Sequence, residues 1–464
     1  MSYEYRINWI QLKNEEKEDF INYIGDFLKS AYKEEVVFFD KIEYNSEPGL
    51  VLQLRGKAHL EILVVASKTP LVKIVFLDEN GRIEIAEALA SFIGKVASSY
   101  RKKSTLYYVY VYGKSIQPAK VKSLIGRLVE EVFLNNMALF FAFSTILYSL
   151  ISLVFDGGYT PLAFIALLLP FQFFSYKIPV VIGDWEISSE KNRVLITGLP
   201  MPLKIYKKLI DRIVKTGEVY KLKEEIYRLI LEGKKCFVKD IILKCYDVNL
   251  RKEDIRIKEV NLFRLAKKAF SKIGLPPPKI YLVNSLDLNA AALGIHPSFS
   301  SIIVTSGLLI ELEENEVEAV LAHEASHIKH RDTFTLYVLS SVLYLIQAYL
   351  AYITLPLLLA LSLRLGIICT TLTIFFFIAK IIEVKADLDA AWTNNPSSLA
   401  FALEKIAPKR SKVEKRRRLK DWISWTSHPP LSFRIYVLRN YPANKHGWLT
   451  ALKLCICDLA RSII

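Results

Sequence analysis

Two long apolar blocks interrupt a chain that otherwise mixes charged and apolar residues. The first runs from Met137 to Tyr176 and is broken only by the turn Asp156-Gly157-Gly158. The second, Thr333 to Ala379, carries one charge in 47 residues. Each block is long enough for two membrane-crossing helices of about 20 residues and too long for one. The pattern therefore predicts two transmembrane hairpins with four spans, and a buried helix pair is the alternative for the first block.

Prolines and glycines suggest where these hairpins turn. In the second block, Pro356 and the stretch Arg364-Leu365-Gly366 are both possible reversals, and the sequence does not choose between them. In the first block, Pro170 and Pro179 predict that the latter half is kinked or interfacial.

The polar stretches around the hairpins divide the chain into four predicted regions. These are a soluble N-terminal α+β domain at 1–130, the first hairpin at 131–182, a cytosolic, mostly helical connection at 183–257, and a C-terminal unit at 258–464 with the second hairpin at 333–380. Apolar spacing predicts individual elements in three of them. The helices are Glu15–Lys29, Ile85–Ser99, Leu203–Leu231 and Asn261–Ile273, and the strands are Ile62–Ala66, Leu71–Phe76 and Leu106–Tyr112.

The basic residues predict how the hairpins are oriented. They cluster before the first span, before the third span and after the fourth, whereas the first return loop carries only Asp156. Lysine and arginine concentrate on the cytoplasmic side of membrane proteins. Both termini and the region between the hairpins are therefore expected in the cytoplasm, in a multi-pass protein of the cell membrane.

Two further features agree with a cytoplasmic location. The segment Met1 to Glu18 is largely polar, so no cleavable signal is expected. The five cysteines contain no C-x-x-C pair, which indicates neither a disulfide framework nor a cysteine zinc site.

A short motif, H-E-x-x-H, lies in the predicted helix just before the second hairpin. His323 and His327 are four residues apart, so they share one helical face and both imidazoles can reach one metal ion. Glu324 flanks that face, where its carboxylate can take a proton from a metal-bound water. Acidic residues at 313, 314 and 316 suit the start of this helix. The alternative is a pair of histidines incidentally placed on a solvated helix.

A zinc site needs a third protein ligand. His330 is one candidate, although its position beside Arg331 favours a role at the membrane interface instead. Glu383 and Asp387 are better candidates, because they are four apart on one predicted helix. One of them could bind the metal while the other holds a histidine ring by hydrogen bonding. A hairpin that returns to the same side brings them level with His327, so the metal site and the two-span interpretation support each other.

Several further segments resemble one family. Asn289-Ala290-Ala291-Ala292-Leu293-Gly294, then Ile303 to Leu309, and Lys329-His330-Arg331-Asp332 after the H-E-x-x-H motif look like the membrane-bound HtpX-type metallopeptidases, whose superfamily includes the CAAX prenyl endopeptidases. The resemblance covers about the last 200 residues and the preceding hairpin. It implies a gluzincin-type fold in which His323, His327 and Glu383 hold one zinc ion per chain and Glu324 is the general base. Asp387 would then orient a histidine ligand.

The same resemblance implies roles near the cleft. Asn289, Ala290 and Ala291 would belong to a strand that aligns the substrate backbone. His428, in Ser427-His428-Pro429-Pro430 with Arg434 following, would donate a hydrogen bond to the oxyanion, and a purely structural turn is the alternative. The N-terminal domain departs from the family layout, in which the first span lies near the start.

These observations predict an α-helical membrane protein with a gluzincin-type α+β catalytic domain and an additional soluble N-terminal α+β domain. The expected function is zinc-dependent cleavage of membrane-associated, misfolded or lipid-anchored proteins at the cytoplasmic face. A catalytically inactive scaffold or sensor is the alternative. The net charge of +15 includes a dense basic run at Lys409–Lys420. Beside Trp422 and Trp425 it is expected to meet anionic headgroups rather than nucleic acid, or else to be a solvated loop.

Overall fold

The computed structural model describes most of the chain, namely residues 2–8, 10–12, 14–55, 59–78, 83–103, 105–114, 146–155, 158–200, 206, 219–234, 256–353, 358–406, 419–441 and 447–463. The chain divides into two compact units. The first comprises Met1–Tyr110, Ile196–Lys258 and Pro408–Lys415, and the second comprises Val111–Leu195, Glu259–Ala407 and Arg416–Ile464.

The N-terminal part of the first unit is a five-stranded antiparallel sheet with two helices on one face. The strands are β1 (Ser2–Arg6), β2 (Val36–Tyr44), β3 (Glu47–Arg55), β4 (His59–Val65) and β5 (Leu71–Phe76), in the order β1-β5-β4-β3-β2. The helices are α1 (Asn14–Ala31) and α2 (Ile83–Lys103). Alternate residues of β3 to β5 are buried, so one face of the sheet meets the apolar faces of both helices. The predicted elements of this region are confirmed, while β1, β2 and β3 were not predicted.

The described residues of the predicted mostly helical connection at 183–257 include strands as well as a helix. It begins with two strands, β7 (Trp185–Ile187) and β8 (Arg193–Pro200), and its described helix is α5 (Val219–Leu231). Strand β8 lies between β6 (Thr105–Val111) and β9 (Arg256–Asn261) in a three-stranded sheet. Short strands of this kind give little alternation to read, and their pairing partners lie far away in sequence.

The second unit contains the sheet that frames the candidate site. Its strands are β7, β10 (Lys279–Val283), β11 (Ala290–His296) and β12 (Phe299–Thr305), in the order β11-β12-β10-β7. Strand β12 runs parallel to β10 and antiparallel to β11. Gly294 has a φ of +121°, and a side chain there would collide with the backbone of Phe299, so the β11–β12 hairpin requires glycine. Strand β11 is left at the edge of the sheet.

Helices surround this sheet and form the rest of the second unit. Their bounds are α3 (Thr160–Phe174), α4 (Ile178–Ile182), α6 (Leu262–Ile273), α7 (Ser306–Glu311), α8 (Glu314–His330), α9 (Asp332–Ile353), α10 (Leu358–Thr393), α11 (Pro396–Ile406), α12 (Leu419–Ile423), α13 (Leu431–Asn440) and α14 (Trp448–Ile463). A capping box between Glu313 and Glu316 begins α8, as the acidic first turn predicts. Helix α8 is buried along most of its length, which shields the motif it carries from bulk water.

Among the described residues, three helical stretches are long and apolar enough to cross a membrane: Thr160–Ile182, Asp332–Leu350 and Leu365–Thr393. They correspond to the second, third and fourth predicted spans. The first part of the first predicted span, at 137–145, and the predicted loop at Asp156 lie outside the described residues. Arg364 to Gly366 lie inside α10, so they are not the reversal of the second hairpin. Pro356, the other possible reversal, lies outside the described residues.

Candidate metal centre

The H-E-x-x-H motif lies on α8, and its side chains are sheltered. His323 and Glu324 are 7% and 8% exposed. The Nε2 atoms of His323 and His327 lie 3.2 Å apart. The helix ends directly after the motif, because Arg331 adopts a left-handed backbone with a φ of 54°. Helix α9 begins at the next residue, Asp332, whose side chain contacts His327.

Glu383 reaches the same point from α10. Its Oε2 lies 3.6 Å from His323 Nε2, and its Oε1 lies 3.5 Å from His327 Nε2. Two ligands of a tetrahedral zinc ion, each bound at about 2.0–2.1 Å, lie about 3.3 Å apart. The three observed separations of 3.2, 3.5 and 3.6 Å are close to that edge length. Within the described part of the chain, these three residues are the group that could hold a metal ion.

Each histidine has a carboxylate next to its Nδ1 atom, the ring nitrogen that does not face the cluster. His327 Nδ1 lies 2.8 Å from Asp332 Oδ2 in a hydrogen bond. His323 Nδ1 lies 3.0 Å from Asp387 Oδ1, in a charge contact outside good hydrogen-bond alignment. A proton on each Nδ1 leaves the Nε2 lone pairs facing each other and Glu383. Lone pairs and a carboxylate converging on one point suit a cation, so the residues fit a zinc ion.

The electrostatics of the pocket favour positive charge at the same point. Burial lowers the pKa of His323, but its contacts with Asp387 and Glu383 outweigh burial and raise that pKa to about 10. Burial also lowers the pKa of His327, and the hydrogen bond with Asp332 and the charge of Glu383 raise it more. The carboxylates around the imidazoles therefore stabilise a proton or a metal ion at the centre of the cluster.

Arg434 braces the carboxylates from α13. Its guanidinium donates two hydrogen bonds of 2.7 Å to Asp387, and its Nη1 lies 3.6 Å from Glu383 Oε2. Both partners of the bidentate pair are almost completely buried. A buried guanidinium with two carboxylates fixes the plane of Asp387 and thereby the position of the His323 ring.

Glu324 faces the edge of the sheet. Its Oε2 accepts a 2.7 Å hydrogen bond from the backbone N–H of Ala292 in β11. Burial raises the pKa of Glu324 above its ordinary value, although the charges of His327 and His323 oppose this. A carboxylate whose proton affinity is raised is a better proton acceptor near neutral pH. Glu324 thus lies beside the candidate metal ligands without belonging to that group.

The residues proposed to align substrate lie along β11. The backbone groups of Asn289 and Ala291 point into the sheet, because Asn289 exchanges hydrogen bonds with Thr305 and successive residues of a strand alternate. The backbone groups of Ala290 and Ala292 point to the open edge. The sequence singled out Asn289, Ala290 and Ala291 within the segment Asn289–Gly294. It did not predict the hydrogen bond between Ala292 and Glu324, because nothing in the sequence shows which strand edge is unpaired.

His428 also reaches the cluster. Its Nδ1 lies 2.9 Å from Glu383 Oε2, while its side chain is 65% exposed.

His330 does not reach the cluster. Its Nε2 lies 3.0 Å from Asp389, a carboxylate that also accepts a hydrogen bond from Ser326. The interpretation of His330 as a ligand is therefore not supported by its position. The contact of Asp332 with His327 was not predicted, although Asp332 ends the segment Lys329-His330-Arg331-Asp332 that resembles the family.

A cavity of about 1040 Å³ opens from the cluster and continues between the apolar helices. One end is lined by His323, Glu324, His327 and Glu383, with Ala290 to Ala292 beside them. The other end is lined by α3, α9 and α10, as far as Gln347 and Ile367. The candidate centre is thus continuous with a space inside the predicted membrane region.

Two histidines and a glutamate converge on one point, and a second glutamate lies directly after the first histidine on the same helix. This arrangement is typical of the zinc ligands and general base of a metallopeptidase. Comparisons with known proteins agree. A family model described as Peptidase family M48 matches residues 256–441. Protease HtpX of Haemophilus ducreyi is 28% identical over 208 residues, covering 39% of this chain and 71% of that protein.

The protease HtpX homolog of Listeria monocytogenes is 32% identical over 210 residues, covering 36% of this chain and 69% of that protein. A further homolog, from Acidiphilium cryptum, is 49% identical over 72 residues, or 16% of this chain. That alignment spans only a quarter of the Acidiphilium protein. The chain belongs to peptidase family M48, and it is an HtpX-type member of it. The matched residues contain every candidate site residue named above and exclude the N-terminal sheet.

Proposed function

We propose that this protein is a membrane-integrated, zinc-dependent endopeptidase acting on membrane-associated, misfolded or lipid-anchored proteins at the cytoplasmic face. The proposal rests on the convergence of His323, His327 and Glu383 on one point with Glu324 beside them. These three residues would hold one zinc ion per chain, with Asp387 and Asp332 keeping the imidazoles in the required tautomer.

The chemistry follows from the residues around that point. When bound, zinc supplies a Lewis acid that acidifies a water molecule and polarises the scissile carbonyl. Glu324 is the proton acceptor for that water, and its carboxyl later returns the proton to the leaving amine. Its hydrogen bond with Ala292 holds the carboxylate in the cleft before substrate arrives.

The substrate backbone would pair with the open edge of β11. Ala290 and Ala292 offer backbone donors and acceptors there, as an added strand requires. Ala292 can engage a substrate carbonyl only after its N–H leaves Glu324, so binding of substrate and release of Glu324 are coupled. Asn289 and Ala291 support this edge through their bonds within the sheet.

His428 would stabilise the oxyanion. Because its Nδ1 contacts Glu383, only Nε2 is left for the substrate, and both ring nitrogens must carry protons for His428 to donate twice. Loss of a single oxyanion donor costs about a hundred- to a thousandfold in turnover.

The direct test is whether the purified protein contains zinc and cleaves peptide bonds. We expect about one zinc ion per chain and cleavage of casein in detergent, lost with a chelator and restored by zinc. An inactive scaffold would contain zinc without cleaving casein. A chain with neither zinc nor activity would contradict both interpretations.

The carboxylate of Asp387, next to His323 Nδ1, gives a prediction of intermediate size. Asp387→Asn should lower zinc affinity or turnover by about ten- to a hundredfold, because the amide cannot hold the His323 ring as strongly. Asparagine can still accept a hydrogen bond from Arg434, so the buried guanidinium keeps a partner. Glu318→Gln is the matched control, since Glu318 is a buried carboxylate of α8 that pairs with Lys268 and Lys272 instead. Equal zinc affinities in both variants would remove Asp387 from the site.

The predicted orientation can be tested by labelling in intact cells. In a cysteine-free parent, a cysteine at Asp156 should react with an impermeant maleimide from outside. A cysteine at Leu449, which is 79% exposed in α14, should react only after lysis. The reverse pattern would refute both the positive-inside orientation and a cytoplasmic substrate.

The expected contact between Lys409–Lys420 and anionic headgroups concerns residues mostly outside the described ones and stays a prediction. So does the absence of a nucleic-acid partner. We propose the lipid role because the run follows the catalytic unit's membrane hairpin in sequence and each such charge contributes on the order of 1 kcal/mol at an anionic surface.

A further inference from the structure

A short segment next to α10 exposes two large apolar side chains. Ile423 and Trp425 are 47% and 48% exposed, at and just beyond the end of α12. Trp422 precedes them in the chain and is only 1% exposed. Its ring packs against Phe377 and Phe433. We call residues 422–425 the Trp425 segment. One tryptophan thus fixes the segment to the protein while the neighbouring apolar side chains face outward.

The position of Trp425 along α10 gives its depth. Its indole N–H donates a 3.3 Å hydrogen bond to Thr373 Oγ1. The helix is uncharged from Leu365 to Ala379, and Lys380 is the first charge after that stretch. Thr373 precedes Lys380 by seven residues (380 − 373), or about 10 Å along the helix axis. Trp425 therefore lies beside the apolar part of α10.

The backbone of the Trp425 segment is only partly helical, and Lys380 satisfies its carbonyls at this depth. Its side chain is completely buried, and Nζ donates hydrogen bonds of 2.9 Å to Trp422 O and 2.6 Å to Ser424 O. The hydroxyl of Ser424 donates to Asp421 O at 2.7 Å. Carbonyls without partners are costly at membrane depth, so non-helical backbone occurs there only when the protein satisfies it. Lys380 is a charge expected at the membrane boundary, and here it donates hydrogen bonds to the carbonyls of the Trp425 segment.

We propose that the Trp425 segment is inserted into the bilayer, with Ile423 and Trp425 in contact with lipid acyl chains near the headgroup boundary. Tryptophan with a satisfied N–H is favoured at that level, and interfacial elements bury their apolar faces about 5–10 Å deep. The apolar residues of α10 beside Trp425, such as the 44%-exposed Ile374, extend the same surface. Contact with acyl chains requires no anionic headgroup, which separates this insertion from the charge attraction expected of the basic run.

The insertion has a bearing on the metal centre. Only Thr426 and Ser427 separate Trp425 from His428, which contacts Glu383. The hydroxyl of Thr426 donates to His428 O at 3.4 Å, which links the segment to the turn that carries the histidine. Lipid contact at Trp425 would thus set the level of His428 relative to the membrane.

Depth measurements on the full-length protein in nanodiscs of neutral phosphatidylcholine test the proposal. A polarity-sensitive fluorophore is attached to Trp425→Cys in a cysteine-free parent, with Ile423→Cys as a second position. The matched control is Trp392→Cys, because Trp392 is 52% exposed and lies twelve residues (392 − 380) beyond Lys380, on the other side from Thr373. Quenching is measured with aqueous iodide and with lipids carrying a nitroxide near the top of the acyl chain.

We expect the labels at 425 and 423 to be quenched by the nitroxide lipid and to be several-fold less sensitive to iodide than the label at 392. Equal iodide sensitivity at 425 and 392 would overturn the insertion. Protection of 425 from both quenchers would also overturn it, because a protein surface such as a second copy would then cover the segment. Nitroxide quenching that appears only after anionic lipid is added would assign the contact to the basic run instead.

Discussion

Glu324→Gln is expected to keep one zinc ion per chain and to lose at least about a hundredfold in turnover. Glutamine preserves the size of the side chain and can still accept the hydrogen bond from Ala292, so the fold of the cleft should not change. It cannot accept a proton at neutral pH. Because Glu324 adjoins the proposed metal ligands without being one, this variant should lose catalysis but keep metal binding.

The measurement pairs zinc content with the rate of casein cleavage in detergent. Ser326→Ala is a useful companion, since Ser326 lies on the same helix but bonds to Asp389, away from the metal ligands. It should keep both zinc and activity. Normal cleavage by the glutamine variant would show that the proposed peptidase mechanism is wrong.

Glu383→Gln should lose or strongly weaken zinc binding together with activity. A neutral amide is a poor replacement for an anionic ligand, and Glu383 supplies the only negative charge among the three proposed ligands. Zinc affinity by competition with a chelator measures the effect. Glutamine can still accept a hydrogen bond from His428, which limits the disturbance to the metal itself.

Asp389→Asn is the control for this change. Asp389 is on the same helix, six residues further (389 − 383), and pairs with His330 and Ser326. Its substitution should leave zinc affinity close to that of the parent. Should Glu383→Gln bind zinc as tightly as the parent, another group, with His428 first, must be the third ligand.

The sequence predicts most strongly where the structural signal is local. The helix that carries His323 and His327 follows from apolar spacing and an acidic first turn within one stretch of 20 residues or so. The described membrane-length helices of both hairpins likewise follow from uninterrupted apolar length. The short strands β7 and β8 carry no such signal, because their stability comes from partners more than 50 residues away.

The candidate site was predictable only in part for a related reason. Glu383 could be proposed because a hairpin that returns to the same side must bring it near His327. The choice between Glu383 and Asp387 rests on how far α10 is rotated, and the spacing of four residues leaves that open. The contacts of Asp332 with His327 and of Ala292 with Glu324 depend on a left-handed turn at Arg331 and on the unpaired edge of β11. The spacing of residues along the sequence predicts neither feature.

The second hairpin touches the proposed metal centre at both ends. Asp332 is the first residue of α9, and Glu383 lies in α10, so the ligand set is complete only when the two helices stand side by side. During biosynthesis the two histidines emerge 56 residues (383 − 327) before the carboxylate that completes the set. A nascent or wrongly inserted chain therefore presents an incomplete site. Under the proposed mechanism, this peptidase is inert until insertion of the second hairpin has brought Glu383 to the two histidines.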